Sequence, residues 1–234
     1  MKNNVINIQN PVFTSEPSEK RSSNIQVLRQ KNNKKDAVLK IAVIPATLDF
    51  YDTQCPDLRG KLGKIAEDFS NDLKTKNLDI IKNPMVVNDT QMKKACRNSI
   101  NLGIDLLVIV HMSYSPSGQL APAILDSDVP VVLYPCQVLP ELIAKEYDID
   151  AIDLNHGVHG TMDLANVLHR NRRSYGLLHG YWKDNEFRNK LCHFAQAGRL
   201  IREMKTSNPI ILCGRFEKML DLQLDNELFI KDFG

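Results

Sequence analysis

Asp105-Leu106-Leu107-Val108-Ile109-Val110, running into His111-Met112-Ser113-Tyr114-Ser115-Pro116-Ser117-Gly118, decides the fold. The apolar run is too short for a helix buried all round. It suits a parallel strand covered on both faces. The polar loop after it marks the strand's C-terminal end, and Gln119 to Leu125 reads as a short helix. Upstream the same unit repeats. Leu39 to Pro45 is a strand, Ala46 to Pro56 a loop, and Leu58 to Lys76 a helix with Leu62, Ile65, Ala66, Phe69 and Leu73 at helical spacing. Leu78 to Val87 is a strand with Pro84 at a bend or edge. Thr90 to Leu102 is a helix, with Asp89 as N-cap and Gly103 as C-cap. Downstream, Val129 to Tyr134 is a strand, Leu139 to Glu146 a short helix, and Thr161 to His169 a helix running towards Arg173. Tyr175 to Leu178 is a strand, Asn185 to Met204 a long helix, and Pro209 to Cys213 a strand, with a hairpin after Glu217.

Short apolar strands alternating with helices predict an α/β fold, a doubly wound parallel sheet with helices on both faces. Three regions follow. Residues 1–37, rich in Asn, Ser, Lys and Gln, are a disordered tail. Residues 38–180 form the first α/β domain. Residues 181–234 hold too few elements to bury a core and read as an incomplete second α/β domain.

Of 234 residues, 43% are hydrophobic and 25% charged, ordinary for a globular protein. There is no apolar run long enough for a transmembrane helix. The N-terminal Met1 to Pro11 lacks the apolar centre of a signal peptide, which implies a cytoplasmic location without membrane partners. The five cysteines are scattered and read as reduced thiols. Residues 1–40 carry eight Lys/Arg against three Asp/Glu, +5, and the remainder 22 against 25, −3. The basic tail has no dense basic block, and the acidic folded part argues against a nucleic-acid partner.

Two loops carry chemistry. His111, Ser113, Tyr114 and Ser115 lie after the best strand, where they can hydrogen-bond a polyol or another neutral ligand. Ser115-Pro116 also reads as an N-cap followed by an N1 proline. The second segment is Asp153-Leu154-Asn155-His156-Gly157-Val158-His159-Gly160. His156 and His159 could share one side of a turn, with Asp153 as a third metal ligand. The glycines argue against a regular helix there and allow positive φ or close backbone approach. Three readings stand: a metal site, a substrate or subunit contact, and a structured turn with capping histidines. In Gly180-Tyr181-Trp182-Lys183-Asp184 the lone Trp is read as an anchor in a domain or subunit interface. The phosphate-loop patterns, G-x-S-x-G and H-E-x-x-H are absent.

From His159 to Asp184 the sequence resembles the end of the first domain of L-arabinose isomerases. Their N-L-N-Q-x-A-H-G, a helix, a strand and G-H-W-x-D follow in the same order, matched by Leu154, Asn155, His159, Gly160, Gly180, Trp182 and Asp184. Ser115-Pro116 resembles H-T-F-S-P, and Val129 to Val132 resembles the strand before H-T-Q, with Gln137 keeping the Gln. Cys213-Gly214-Arg215-Phe216 to Met219 is similar to R-F-G-x-x-M. The resemblance covers about residues 40–220.

It implies a flavodoxin-like first domain, the start of a second domain, and aldose–ketose isomerisation through an enediol in carbohydrate metabolism. It further implies Mn²⁺ in the full-length family, with metal ligands and catalytic Glu residues beyond this chain. Catalytic and metal residues are then none here, and the chain alone is inactive. His111, Ser113, Tyr114, Ser115, Gln137, Asn155, His156 and His159 become substrate or subunit-rim candidates. The partners implied are a small-molecule sugar and further copies in a homo-oligomer, a trimer or hexamer. The family's H-T-Q His falls on Pro135 and the Gln before it on Leu133. Its G-S-Q-H falls on Pro45-Ala46-Thr47-Leu48, its Arg on Met162 and its Glu on Asp163. These differences imply a divergent, fucose isomerase-like member. The alternatives are a non-catalytic sugar-binding module and a truncated isomerase remnant.

Overall fold

The structure is a computed structural model that describes residues 38–141, 149–207 and 226–233. Five strands form one sheet: β1 (Leu39–Ala46), β2 (Leu78–Lys82), β3 (Leu106–His111), β4 (Val131–Pro135) and β5 (Gly176–Leu177). Every pairing is parallel, in the order β2-β1-β3-β4-β5. Eight helices intervene among the described residues: α1 (Tyr51–Gln54), α2 (Leu58–Leu73), α3 (Asp89–Asn101), α4 (Ser117–Leu125), α5 (Ile149–Leu154), α6 (Gly157–Arg170), α7 (Asn185–Thr206) and α8 (Asn226–Phe233). This is the expected doubly wound α/β fold, with the flavodoxin-like strand order.

Alternation along the strands divides the core in two. Ile41, Val43, Leu106, Val108, Val110, Val132 and Tyr134 face α2 and α7, meeting Leu62, Phe69, Leu73, Phe187 and Leu191. Ala42, Ile44, Leu107, Ile109, Val131 and Leu133 face α3, α4 and α6, meeting Met92, Leu120, Ile124, Leu164 and Leu168. Both faces of the central strands are thus covered, which is why they read as unbroken apolar runs.

α7 lies beyond the expected boundary at residue 180. Its Phe187, Leu191 and Ala195 are buried in the same cluster as β1 and β3. Burying a Phe or Leu contributes about 1.5–3 kcal/mol, so α7 helps to hold this core together. At its far end the wholly buried Asp105 accepts from Lys40 N at 2.8 Å, from Arg199 Nε at 2.9 Å and Nη2 at 3.1 Å, and pairs with Arg202 Nη2 at 2.7 Å. That hydrogen bond to Asp105, the largest cause, raises the Arg199 pKa. Gly198 makes the approach possible: a Cβ there would lie 2.0 Å from the Asp105 carbonyl oxygen.

Other details differ from the sequence reading. The N-cap of α3 is Asn88, whose Oδ1 accepts from Gln91 N at 2.9 Å, while Asp89 sits in the first turn. Gly103 does follow the helix in the left-handed region, at φ 69°. β2 stops at Lys82 because Pro84 has no N–H to donate, and pairing resumes as a single bridge from Val86 to Ala46. Within the region expected to be a hairpin, residues 226–233 are helical, with Glu227 in the first turn and Lys231 in the last, where each charge suits the helix dipole. The tail 1–37 and the strand Pro209 to Cys213 lie outside the described residues, as does most of the expected Leu139 to Glu146 helix. Among the described residues no helix is long and apolar enough to cross a membrane.

Candidate functional site at the C-terminal sheet edge

β1 leads outward to β2 and β3 outward to β4, so their following loops diverge. Such a switch point leaves a crevice at the carboxyl ends of the strands. Ala46 and His111 end these two strands in register. The loop from Thr47 into α1 and the loop from Met112 to Pro116 therefore flank the crevice, and β4's loop and the start of α6 close its side.

His111 is the floor. It is fully buried, and its Nδ1 lies 2.6 Å from Ser115 Oγ. Desolvation pushes its pKa down from 6.5 to about 3, against a smaller upward pull from Asp163. The ring is neutral at physiological pH. His111 Nε2 and the nearby buried Thr47 Oγ1 have no hydrogen-bond partner among the described residues.

α6 starts at Gly157, so the glycines of the His-rich segment do not prevent a helix. They let it sit close. A Cβ on Gly157 would lie 2.2 Å from His111 O, and one on Gly160 would lie 2.8 Å from His111 Nδ1. Positive φ among described residues occurs only at Arg172, Gly103 and Gly180, so close approach is the reason for Gly157 and Gly160.

The loop above His111 is pinned from both sides. Ser113, also buried, donates to the Asp153 carbonyl at 2.8 Å. Ser117 N and Oγ donate to Asp163 Oδ2 and Oδ1 at 2.7 and 2.9 Å. The cap expected from Ser115 thus comes from the α6 carboxylate, with Pro116 at the N-cap position and Ser117 beginning α4.

The sequence model described as "L-arabinose isomerase N-terminal domain" matches residues 56–206. The chain belongs to that family. The match ends on the last residue of α7. No curated protein matches the chain.

In this arabinose isomerase-family domain, aromatic rings form the rim, with Phe50 and His159 exposed and Tyr51, Tyr114 and His156 half-buried. Tyr51 Oη lies 3.4 Å from His156 Nδ1. The centroids of His156 and His159 are 4.5 Å apart, those of Tyr114 and His156 6.0 Å, and those of Phe50 and Tyr51 6.4 Å. Beside the rim a cavity of about 200 Å³ is lined by Cys55, Asp57, Asp153 and Leu154, with Cys55 Sγ 3.8 Å from Asp153 Oδ2.

The candidate residues fall into three groups. Tyr114, His156 and His159 meet at the rim. His111, Ser113 and Ser115 lie buried beneath it and shape the loop. Gln137 and Asn155 are turned into the β4 loop: Gln137 Nε2 donates to Leu139 O at 2.9 Å, and Asn155 Oδ1 accepts from Val138 N at 3.3 Å. Trp182, expected at an interface, is in the domain's own core against Phe69. Sequence reasoning missed Phe50, Tyr51 and the capping role of Asp163. A switch-point argument applied to the first loop would have found the two aromatics.

Mn²⁺ binding calls for several convergent oxygen or imidazole donors. Here Tyr51 engages His156, and Cys55 engages Asp153. Among the described residues no group of three or more His, Cys, Asp and Glu is placed to hold a metal ion. The residues present do not fit the group, and no metal step is assigned to this rim.

Proposed function

We propose that this chain supplies the first domain of an aldose–ketose isomerase, and that its C-terminal sheet edge is a rim for a sugar and a neighbouring copy. The observation that carries the reading is the junction of hydrogen-bonding groups and rings at the switch point, within a domain of the arabinose isomerase family. Imidazole, phenol and hydroxyl groups suit a polyol. The metal chemistry and the proton-moving carboxylates then belong to residues outside 56–206, with Mn²⁺ polarising the sugar carbonyl there. Exposed Ile152, Val158 and Met162 lie on α5 and α6 beside His159, an apolar stripe suited to covering by another copy. That stripe supports a homo-oligomer, a trimer or hexamer. Pro135, Leu133, Pro45 to Leu48 and Met162 replace the family's polar residues, which supports a divergent, fucose isomerase-like member acting in the cytoplasm on a sugar other than arabinose.

Titrating the chain with neutral aldoses, followed by a Mn²⁺ isomerisation assay, tests this. The expected result is saturable, millimolar-range binding without turnover. Robust Mn²⁺-dependent interconversion by these 234 residues, or failure of every neutral aldose to bind, would overturn it.

A further inference from the structure

We infer that Phe50 is a specificity-determining residue of the rim, its exposed ring stacking on the C–H face of a neutral sugar. The inference rests on the proposed function and deepens it. Phe50 stands at the N-cap of α1, where Ser, Thr, Asp or Asn would accept a backbone hydrogen bond. It offers no cap, and its side chain is left 58% exposed. The residue is therefore unfavourable both as a cap and as a solvent-facing side chain. Departures from local rules concentrate at functional sites.

The surrounding turn fixes the backbone that carries the ring. Phe50 O accepts from Thr53 Oγ1 at 2.9 Å and from Thr53 N at 3.3 Å. Arg59 clamps Asp52 through Nε and Nη2, tying α1 to α2. Tyr51 reaches across to His156. Phe50 thus heads a strip of five rings that continues through Tyr51 and His156 to His159 and Tyr114.

An aromatic face carries partial negative charge and attracts polarised C–H groups, while it repels an anion. One sugar face rich in C–H bonds can lie on Phe50 while its hydroxyls reach the phenol and imidazoles. A stereoisomer with a hydroxyl projecting from that face cannot lie flat, and a sugar phosphate gains nothing from the strip. The ring thus selects by face and by charge.

The test is a titration of the whole chain with a panel of neutral aldopentoses and 6-deoxyhexoses, read by NMR saturation transfer. Wild type is compared with Phe50→Ala, Phe50→Leu and Phe50→Trp, and circular dichroism confirms that each is folded. For the tightest-binding sugar, Phe50→Ala is expected to raise Kd about fivefold. Phe50→Leu should be nearly as weak, and Phe50→Trp should restore binding. Saturation should concentrate on ring C–H protons. Unchanged Kd in Phe50→Ala, or full affinity in Phe50→Leu, overturns the stacking role and leaves the proposed function standing. No neutral aldose binding to wild type overturns the proposed function itself.

Discussion

The two edges of the sheet solve opposite problems. At the N-terminal edge, Asp105 is a buried charge with its partners in place: Arg199, Arg202 and the Lys40 amide. At the C-terminal edge, His111 is buried without charge, and its Nε2 and Thr47 Oγ1 have no partner among the described residues. A cavity of about 350 Å³ lies at the N-terminal edge, lined by Ile104, Pro130, Ile201 and Arg202, and exceeds the one of about 200 Å³ near the rim. Volume alone would favour the N-terminal end. The proposed recognition site lies where strands diverge and polar groups converge, while the charge cluster fastens α7.

If that contrast is right, Asp105→Ala is the costliest change. It removes the buried carboxylate that Arg199 and Arg202 share, leaving Arg199 only Glu203 and the Val38 carbonyl and Arg202 the Gly103 carbonyl, and urea denaturation should show a loss of about 3–5 kcal/mol. Sugar binding per folded molecule should stay unchanged.

Next comes acid sensitivity. The folded His111 pKa is about 3 against the ordinary value of 6.5, so the unfolded chain binds more protons between those values. Stability contributed by neutral His111 is complete above about pH 6.5 and falls by about 1.4 kcal/mol per pH unit below it, towards pH 3. Comparing unfolding of wild type and His111→Leu at pH 7 and pH 5 isolates this slope, which the variant should lack.

Gly157→Ala sets a methyl against the backbone at His111 and should cost about 1–3 kcal/mol in thermal unfolding. It should also disturb the rim through the Ser115 loop and weaken sugar binding, which Asp105→Ala should not do. The smallest effect belongs to Arg172, a non-glycine residue at φ 54° after the end of α6. Arg172→Gly should stabilise by up to about 1 kcal/mol, read as a small rise in Tm, with no effect at the rim.

The fold was legible because strands covered on both faces have to be apolar at every position, as Ile41 to Ile44 and Leu106 to Val110 are. The packing of α7 was not, because nothing in Phe187 or Leu191 says which sheet they cover. The Asp105 to Arg199 and Arg202 pairing joins residues far apart in sequence, which no local pattern reveals. At the site, the His-rich segment stood out by composition, but its glycines suggested a turn. Their use, letting a helix lie on His111, depends on a strand forty-six residues earlier for Gly157. Phe50 was passed over because an exposed aromatic and a buried one look alike in a sequence.

The most direct measurement is a residue-by-residue NMR titration of the chain with the tightest-binding neutral aldose. The account predicts amide shifts at Phe50, Tyr51, Tyr114, His156 and His159, with the Ile104, Asp105 and Ile201 amides of the N-terminal cavity silent. Shifts centred on that cavity, with the rim unmoved, would contradict it.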